Sequence, residues 1–364
     1  EPLTGYSSWY NRYQKISQKT IMSDLAGCAP LLRPGDVPME ITPMPYAPTD
    51  PSVFEFDPET GTITGYWGDA VDVVVPREID GVAVTAIGYN AFDRCRDYTD
   101  TGVETNQTDW VHLRSVVLPE TVDTISDSAF SYCQQLETFV CYGPARSTGR
   151  GTFMLARALK DVVFVNGTKM IDNYCFDSTD RFETFYSAVP LDRIGECAFQ
   201  NSGLTRFVAD ATVIGNCAFR NCPNLTELHF TDRVAETDGA VAFDVPALSK
   251  VCFETYDLEA YSRDGCIANC SDWLKVFLPE DGGEALRDRT QTCTVTWGTH
   301  TLLSVQMFGC DREPEAMPDI DALLACKMDG DATVNDEIHQ TTQSFVHQFW
   351  VHQIVHLIFL VKGY

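Results

Sequence analysis

The segment Ile87-Gly88-Tyr89-Asn90-Ala91-Phe92-Asp93-Arg94-Cys95 returns as Ile125-Ser126-Asp127-Ser128-Ala129-Phe130-Ser131-Tyr132-Cys133. It returns again as Ile214-Gly215-Asn216-Cys217-Ala218-Phe219-Arg220-Asn221-Cys222. Looser copies centre on Phe153, Phe176, Phe199, Phe243 and Ile267. The eight anchors are spaced 38, 23, 23, 23, 20, 24 and 24 residues apart, and the one long step fits an insertion in the polar run Arg96–Asp109. A fixed period of this size marks a repeat array, in which each unit is one supersecondary element.

Each anchor is followed by an L-x-x-V-x-L pattern, as in Leu113-x-x-Val116-x-Leu118 and Leu225-x-x-Leu228-x-Phe230. Alternation of period two, rich in β-branched and aromatic residues, predicts a short strand. The Ala-Phe-x-x-Cys piece has apolar residues three and four apart, which suits one helical or 3₁₀ turn. Gly88, Gly195 and Gly215 stand where a positive-φ turn would join the two pieces. One rung of about 23 residues cannot bury its Ile, Phe and Leu alone. Stacked rungs can, with strands about 4.8 Å apart in one parallel sheet. The expectation is a curved solenoid with capped ends.

The stretch from Phe54-Glu55-Phe56-Asp57 through Gly61-Thr62-Ile63-Thr64-Gly65-Tyr66 and Val73-Val74-Val75-Pro76 to Ile79-Asp80-Gly81-Val82 resembles the N-terminal unit of BspA-like leucine-rich-repeat proteins of bacteria. The rungs from Ile87 to Pro279 are similar to that family's I-G-x-x-A-F-x-x-C-x-x-L-x-x-V-x-L-P consensus. The resemblance covers about 230 residues, near Val53 to Pro279, with departures at Thr179, Ser202 and Val241–Pro246. It implies an α/β solenoid: a right-handed leucine-rich-repeat superhelix with a parallel sheet on the concave face and short helical or 3₁₀ turns on the convex side. It further implies a secreted or cell-surface protein engaged in adhesion or host interaction, and supplies no catalytic residue. The domain reading is a Pro-rich arm over 1–52, a solenoid over 53–284 (a cap to about 86, then eight repeats), and a C-terminal cap or small appended segment over 285–364.

Within each strand, the residue between two inward positions must point outward. That row is Val117, Val140, Val163, Tyr186, Val208, His229, Cys252 and Phe277. Beside it runs a polar row, Ser115, Thr138, Asp161, Thr184, Arg206, Glu227, Lys250 and Lys275, with its basic members from Arg206 onward. Contiguous exposed apolar area with a polar rim marks a binding surface. The candidate binding residues are therefore Val117, Val140, Val163, Tyr186, Val208, His229, Phe277, Arg206, Lys250 and Lys275. Tyr186, His229 and Phe277 are the aromatic anchors. The expected partner is a host or neighbouring-cell protein or glycan. Two rivals remain open: an array that targets or spaces a small catalytic or anchoring segment in 285–364, and a plain structural spacer whose apolar stripe the chain's own arm covers.

Composition narrows the function classes. The chain has 364 residues with 44% hydrophobic and 21% charged, so an ordinary core is expected. Its 52 acidic against 26 basic residues give a net charge of -26, a field that repels nucleic acid and anionic lipid. The sequence opens on Glu1 and reads as a processed or trimmed product. Leu25-Ala26-Gly27-Cys28 has the letters of a lipoprotein box, but the polar residues before it argue against that reading. Seven prolines between Pro30 and Pro51 preclude regular helix or sheet there. Phe345–Val361 is apolar, yet His347, His352 and His356 make it a poor membrane span and a packed strand or helix instead.

Catalysis finds no support. No nucleophile elbow, P-loop or dinucleotide fingerprint is present, and no cofactor or metal is expected. Asp329–Glu337 lacks the glycine and the twelfth-position acid of a calcium loop. Cysteines fill one repeat position at Cys95, Cys133, Cys222 and Cys270, shared with Thr179 and Ser202, and so read as buried packing thiols rather than a disulfide ladder. Cys293, Cys310 and Cys326 lie outside the array. Asn106, Asn166, Asn224 and Asn269 head N-x-[ST] sequons.

Overall fold

The computed structural model describes residues 41–96 and 111–254, and further on the strands within 267–306 and the segment 316–328. Several sequence features lie outside the described residues: the lipoprotein-like box, all but Arg96 of the Arg96–Asp109 insertion, Cys293 and Cys310, the side chain of Cys326, the calcium-like loop, the histidine-bearing end, and the sequons at Asn106 and Asn269.

The chain forms a β-solenoid. An antiparallel hairpin, Phe54–Asp57 with Thr62–Tyr66, opens the stack, and Ala86–Ile87 then adds in parallel to Thr62–Tyr66. From there each rung contributes to two ladders. The front ladder holds the strands predicted from L-x-x-V-x-L. Asp72–Val74, Ser115–Leu118, Thr138–Cys141, Asp161–Phe164 and Thr184–Ser187 form one five-stranded parallel sheet. Arg206–Ala209, Glu227–Phe230, Lys250–Phe253, Lys275–Phe277 and Ser304–Gln306 form a second. The last of these strands lies beyond the boundary at 284 that the repeat spacing suggests.

On the back of the rungs the expected helical or 3₁₀ turn is met in one place. Asp93–Cys95 is a 3₁₀ helix, and the equivalent stretches in later rungs are hydrogen-bonded turns. The repeated Ile instead builds a back ladder of short strands. Met170–Ile171, Leu191–Ile194, Ala211–Ile214 and Glu236–Thr237 pair in parallel. Strand-to-strand spacing near 4.8 Å stacks the anchors as the period requires. Phe130, Phe153, Phe176, Phe199 and Phe219 are all buried, with neighbouring ring centroids 5.6, 5.3, 5.1 and 5.2 Å apart and planes within 10°. Together with the inward strand residues they form one core from Phe54 to Cys270.

The glycines after the Ile work differently from the expectation. A Cβ on Gly88 would meet Ile63 O at 2.9 Å, and one on Gly195 would meet Asn173 N at 2.6 Å, so glycine lets adjacent rungs approach. Positive φ falls two residues later, at Asn90 (56°), Cys197 (53°) and Cys217 (57°). The cysteine knobs are packing positions. Cys133 and Cys222 are buried, and their thiols point at carbonyls of the preceding rung, Phe92 O and Phe199 O. Thr179 Oγ1 donates to Phe176 O at 2.8 Å, which explains why a hydroxyl substitutes there. Burial pushes the thiols of Cys95, Cys141 and Cys222 up to about 12.

Candidate binding surface

The outward row of the front ladder divides in two. Val117, Val140 and Val163 are each at 0% exposure, so their expected exposure does not hold. They sit under the chain's own arm and the helix Ile320–Met328, in a second apolar cluster with Met44, Tyr142, Ile320 and Leu324. The beginning of the polar row is covered too: Ser115 and Thr138 are buried, and Ser115 Oγ donates to Asp72 Oδ1 at 2.7 Å.

Specific polar contacts hold this cover. Asn166 is 4% exposed. Its Oδ1 accepts from Thr42 N at 2.9 Å, while its Nδ2 donates to Thr42 O and Tyr142 O, so the arm is bonded as if to another strand. A buried amide satisfied in this way leaves no room for a glycan, so Asn166 is not a usable sequon. Met44 N donates to Glu120 Oε2 at 3.1 Å, and Glu120 pairs with Arg77 at 3.0 Å. The Tyr46 hydroxyl donates to Asp321 Oδ1 at 2.7 Å, joining arm to helix. Burial, then the hydrogen bond to Asp321, raises the Tyr46 phenol above its ordinary range. Asp319 caps the helix by accepting from Ala322 N at 3.1 Å.

The surface opens where the front ladder breaks. No ladder joins Thr184–Ser187 to Arg206–Ala209. In earlier rungs the amide just past the strand reaches back to the preceding rung, as Val165 N does to Cys141 O and Ala188 N to Phe164 O. Here the shortest rung links its front and back strands through Asp210 alone, and Asp210 N closes onto Val208 O at 3.1 Å instead. The core runs on beneath the break, since Phe185 and Phe207 rings lie 6.0 Å apart and the Phe199 and Phe219 rings stack. A cleft of about 290 Å³ lies at this break. It is lined by Glu183 to Tyr186 and Leu204 to Val208, with Ala316 and Pro318 from the segment preceding the helix. Its volume is at the low end of ligand sites.

Tyr186 and Val208 are half-buried on the cleft, and Arg206 is exposed with no ion-pair or hydrogen-bond partner among the described residues. Beyond the cleft the row closes again. His229 is buried, with Nε2 2.9 Å from Glu254 Oε1. Lys250 Nζ donates to Glu227 Oε1 at 2.8 Å, directly across the strand pair, so the expected basic run is partly neutralised. The strand of Lys275 and Phe277 continues the ladder, but the side chains of these two residues lie outside the described residues. Of the ten residues expected to bind, the structure therefore brings Tyr186, Arg206 and Val208 together on one open feature.

The geometry is that of stacked leucine-rich rungs, and a family model for the BspA type leucine rich repeat region matches residues 85–226 and 206–286 in six copies. The chain belongs to the BspA-type leucine-rich-repeat family. No curated protein matches it. Among solved structures, the chain is similar to a leucine rich repeat protein of T. pallidum (22% identity over 57% of this chain and 86% of that one, TM-score 0.41). It is also similar to a leucine rich cell surface protein from Faecalibacterium prausnitzii (16%, 65% and 89%, 0.31). A leucine-rich repeat protein from Bacteroides ovatus gives 16%, 63% and 78%, and 0.29. Among the described residues, no helix is long and apolar enough to cross a membrane.

Proposed function

We propose that this BspA-type repeat protein is a non-enzymatic, secreted or cell-surface binding module. Its partner is a protein or glycan of a host or neighbouring cell, captured on the open part of the front sheet. The observation that carries the reading is the cleft at the ladder break, where the half-buried Tyr186 stands beside the uncommitted guanidinium of Arg206. An aromatic face and an arginine fork are the side chains that most often dominate protein interfaces. They also suit a sugar ring bearing a carboxylate or hydroxyls. Affinity would come from Tyr186 and Val208, and register from Arg206.

The test is a screen of the full chain against arrays of extracellular proteins and glycans, repeated with Tyr186→Ala and Arg206→Ala. The expected result is a hit weakened at least tenfold by each substitution. A hit indifferent to both would move the site elsewhere. A second reading, a structural spacer, is favoured by the covering of Val117, Val140 and Val163 by the chain's own arm. That reading expects no hit on either array.

A further inference from the structure

The cysteine knobs face the core, but a second column of side chains does not. On the back of the solenoid, the residue two before the anchor Phe takes positive φ in successive rungs: Ser128, Tyr174, Cys197 and Cys217 have φ of 57°, 58°, 53° and 57°. In each, the backbone amide donates to a carbonyl of the next rung, as Ser128 N does to Arg150 O at 2.9 Å and Tyr174 N to Glu196 O at 3.0 Å. Leu191, Arg193 and Ile194 pair in register with Ala211, Val213 and Ile214, which places Cys197 and Cys217 three residues past the same paired rung position. Cys197 N donates to Asn216 O at 3.0 Å, and the Phe199 and Phe219 rings two residues on are 5.2 Å apart with planes at 2°. Rungs in a parallel ladder are spaced about 4.8 Å, inside the roughly 4.4–6.8 Å Cα separation a disulfide requires. The two thiols are near enough to perturb one another, and the Cys217 thiol donates to Asn216 Oδ1 at 3.6 Å.

We propose that Cys197 and Cys217 are a disulfide-forming pair that covalently staples adjacent rungs. Cys217 is half-exposed, whereas Cys197 is buried. The neighbouring Cys197 thiol, with help from the Arg220 guanidinium, lowers the Cys217 thiol below its ordinary value against the upward push of burial. Cys217 is therefore the attacking thiolate. It attacks a small-molecule disulfide, forming a mixed disulfide and releasing one thiol. The Cys197 thiol gives up its proton to solvent, attacks Cys217 Sγ and expels the second thiol. Two protein thiols are oxidised and one external disulfide is reduced to two thiols. Cys95 and Cys133 are no substitute: both are buried, and the Cys133 thiol is turned to a carbonyl.

Arg206 lies between the two cysteines, so trypsin places them in the separate peptides 194–206 and 207–220, each with a single cysteine. The full chain is incubated with oxidised glutathione at pH 7.5, alkylated in acid, digested and mapped without reduction. The expected product is the 194–206 and 207–220 pair joined, lighter by two hydrogens than the sum of its parts. Cys197→Ser should then leave glutathione trapped on Cys217, and Cys217→Ser should leave Cys197 unmodified in the folded chain. A wild-type chain that accumulates glutathione on Cys217 with Cys197 still free, or in which Cys217 fails to react, would overturn the proposal.

Discussion

The front sheet has two halves built from the same repeat, and they face different surroundings. From Ser115 to Phe164 the outward valines lie beneath the arm and the helix Ile320–Met328 and form a second core. From Thr184 to Ala209 the same outward position carries Tyr186 and Val208 on an open cleft. Repeat chemistry alone sets the inward face; what happens outside depends on whether a non-repeating segment finds apolar area to bury. Three adjacent valines plus Tyr142 offer that area, and fully burying such side chains is worth roughly 1.5–3 kcal/mol each. The strands separate only at the ladder break, and past it the outward row continues with Val208, His229 and Cys252 on a second paired sheet.

Substitutions placed in the two halves can break this contrast. Val140→Asp puts an uncompensated carboxylate under the arm and should cost at least about 3–5 kcal/mol, whereas Val208→Asp, half-buried on the cleft, should change stability by about 0.5 kcal/mol or less. Urea unfolding of the pair measures the difference, and equal costs would mean the cover is not there. Phe176→Ala, in the column that both halves share, should cost about 3–5 kcal/mol and lower the urea midpoint. Asn166→Ala removes the clamp on Thr42 and leaves backbone groups unpaired, at about 1–3 kcal/mol, with faster amide exchange confined to the arm.

A pH series sharpens the picture of the back face. Burial raises the Asp177 carboxyl above its ordinary value, opposed by hydrogen bonds from Asn201, Ser178 and Gln200. The folded chain therefore holds that proton more tightly than the unfolded one. The associated stability is present below the ordinary aspartate value and is lost as pH rises through the raised one. Asp177→Asn should flatten that part of the stability–pH curve, measured by thermal melts from pH 3 to 7. The smallest effect belongs to Lys250→Ala: its ion pair with Glu227 is solvent-screened, and its loss should cost under about 1 kcal/mol and vanish in high salt.

The rung, its strand and its Phe column were legible in the sequence because each is dictated by a neighbour one period away. The cover was not. Met44, Ile320 and Leu324 belong to no repeat, and nothing in local periodicity says that two distant segments will meet over Val140. The ladder break left a fainter signal, the 20-residue step from Phe199 to Phe219 against the usual 23. That shortening leaves Asp210 alone to turn the corner, where Ala188–Pro190 do so one rung earlier. The back ladder was missed because Ile-Gly was read as an approach to a turn, when the repeated Ile itself pairs from rung to rung.

Radical footprinting of the native chain addresses the two-faced sheet most directly, because it reads side-chain access residue by residue. Met44 and Tyr142, each at 4% exposure, should stay unlabelled until the chain is denatured, while Tyr186 labels in the native state. Native labelling of Met44 and Tyr142 as fast as that of Tyr186 would contradict the account.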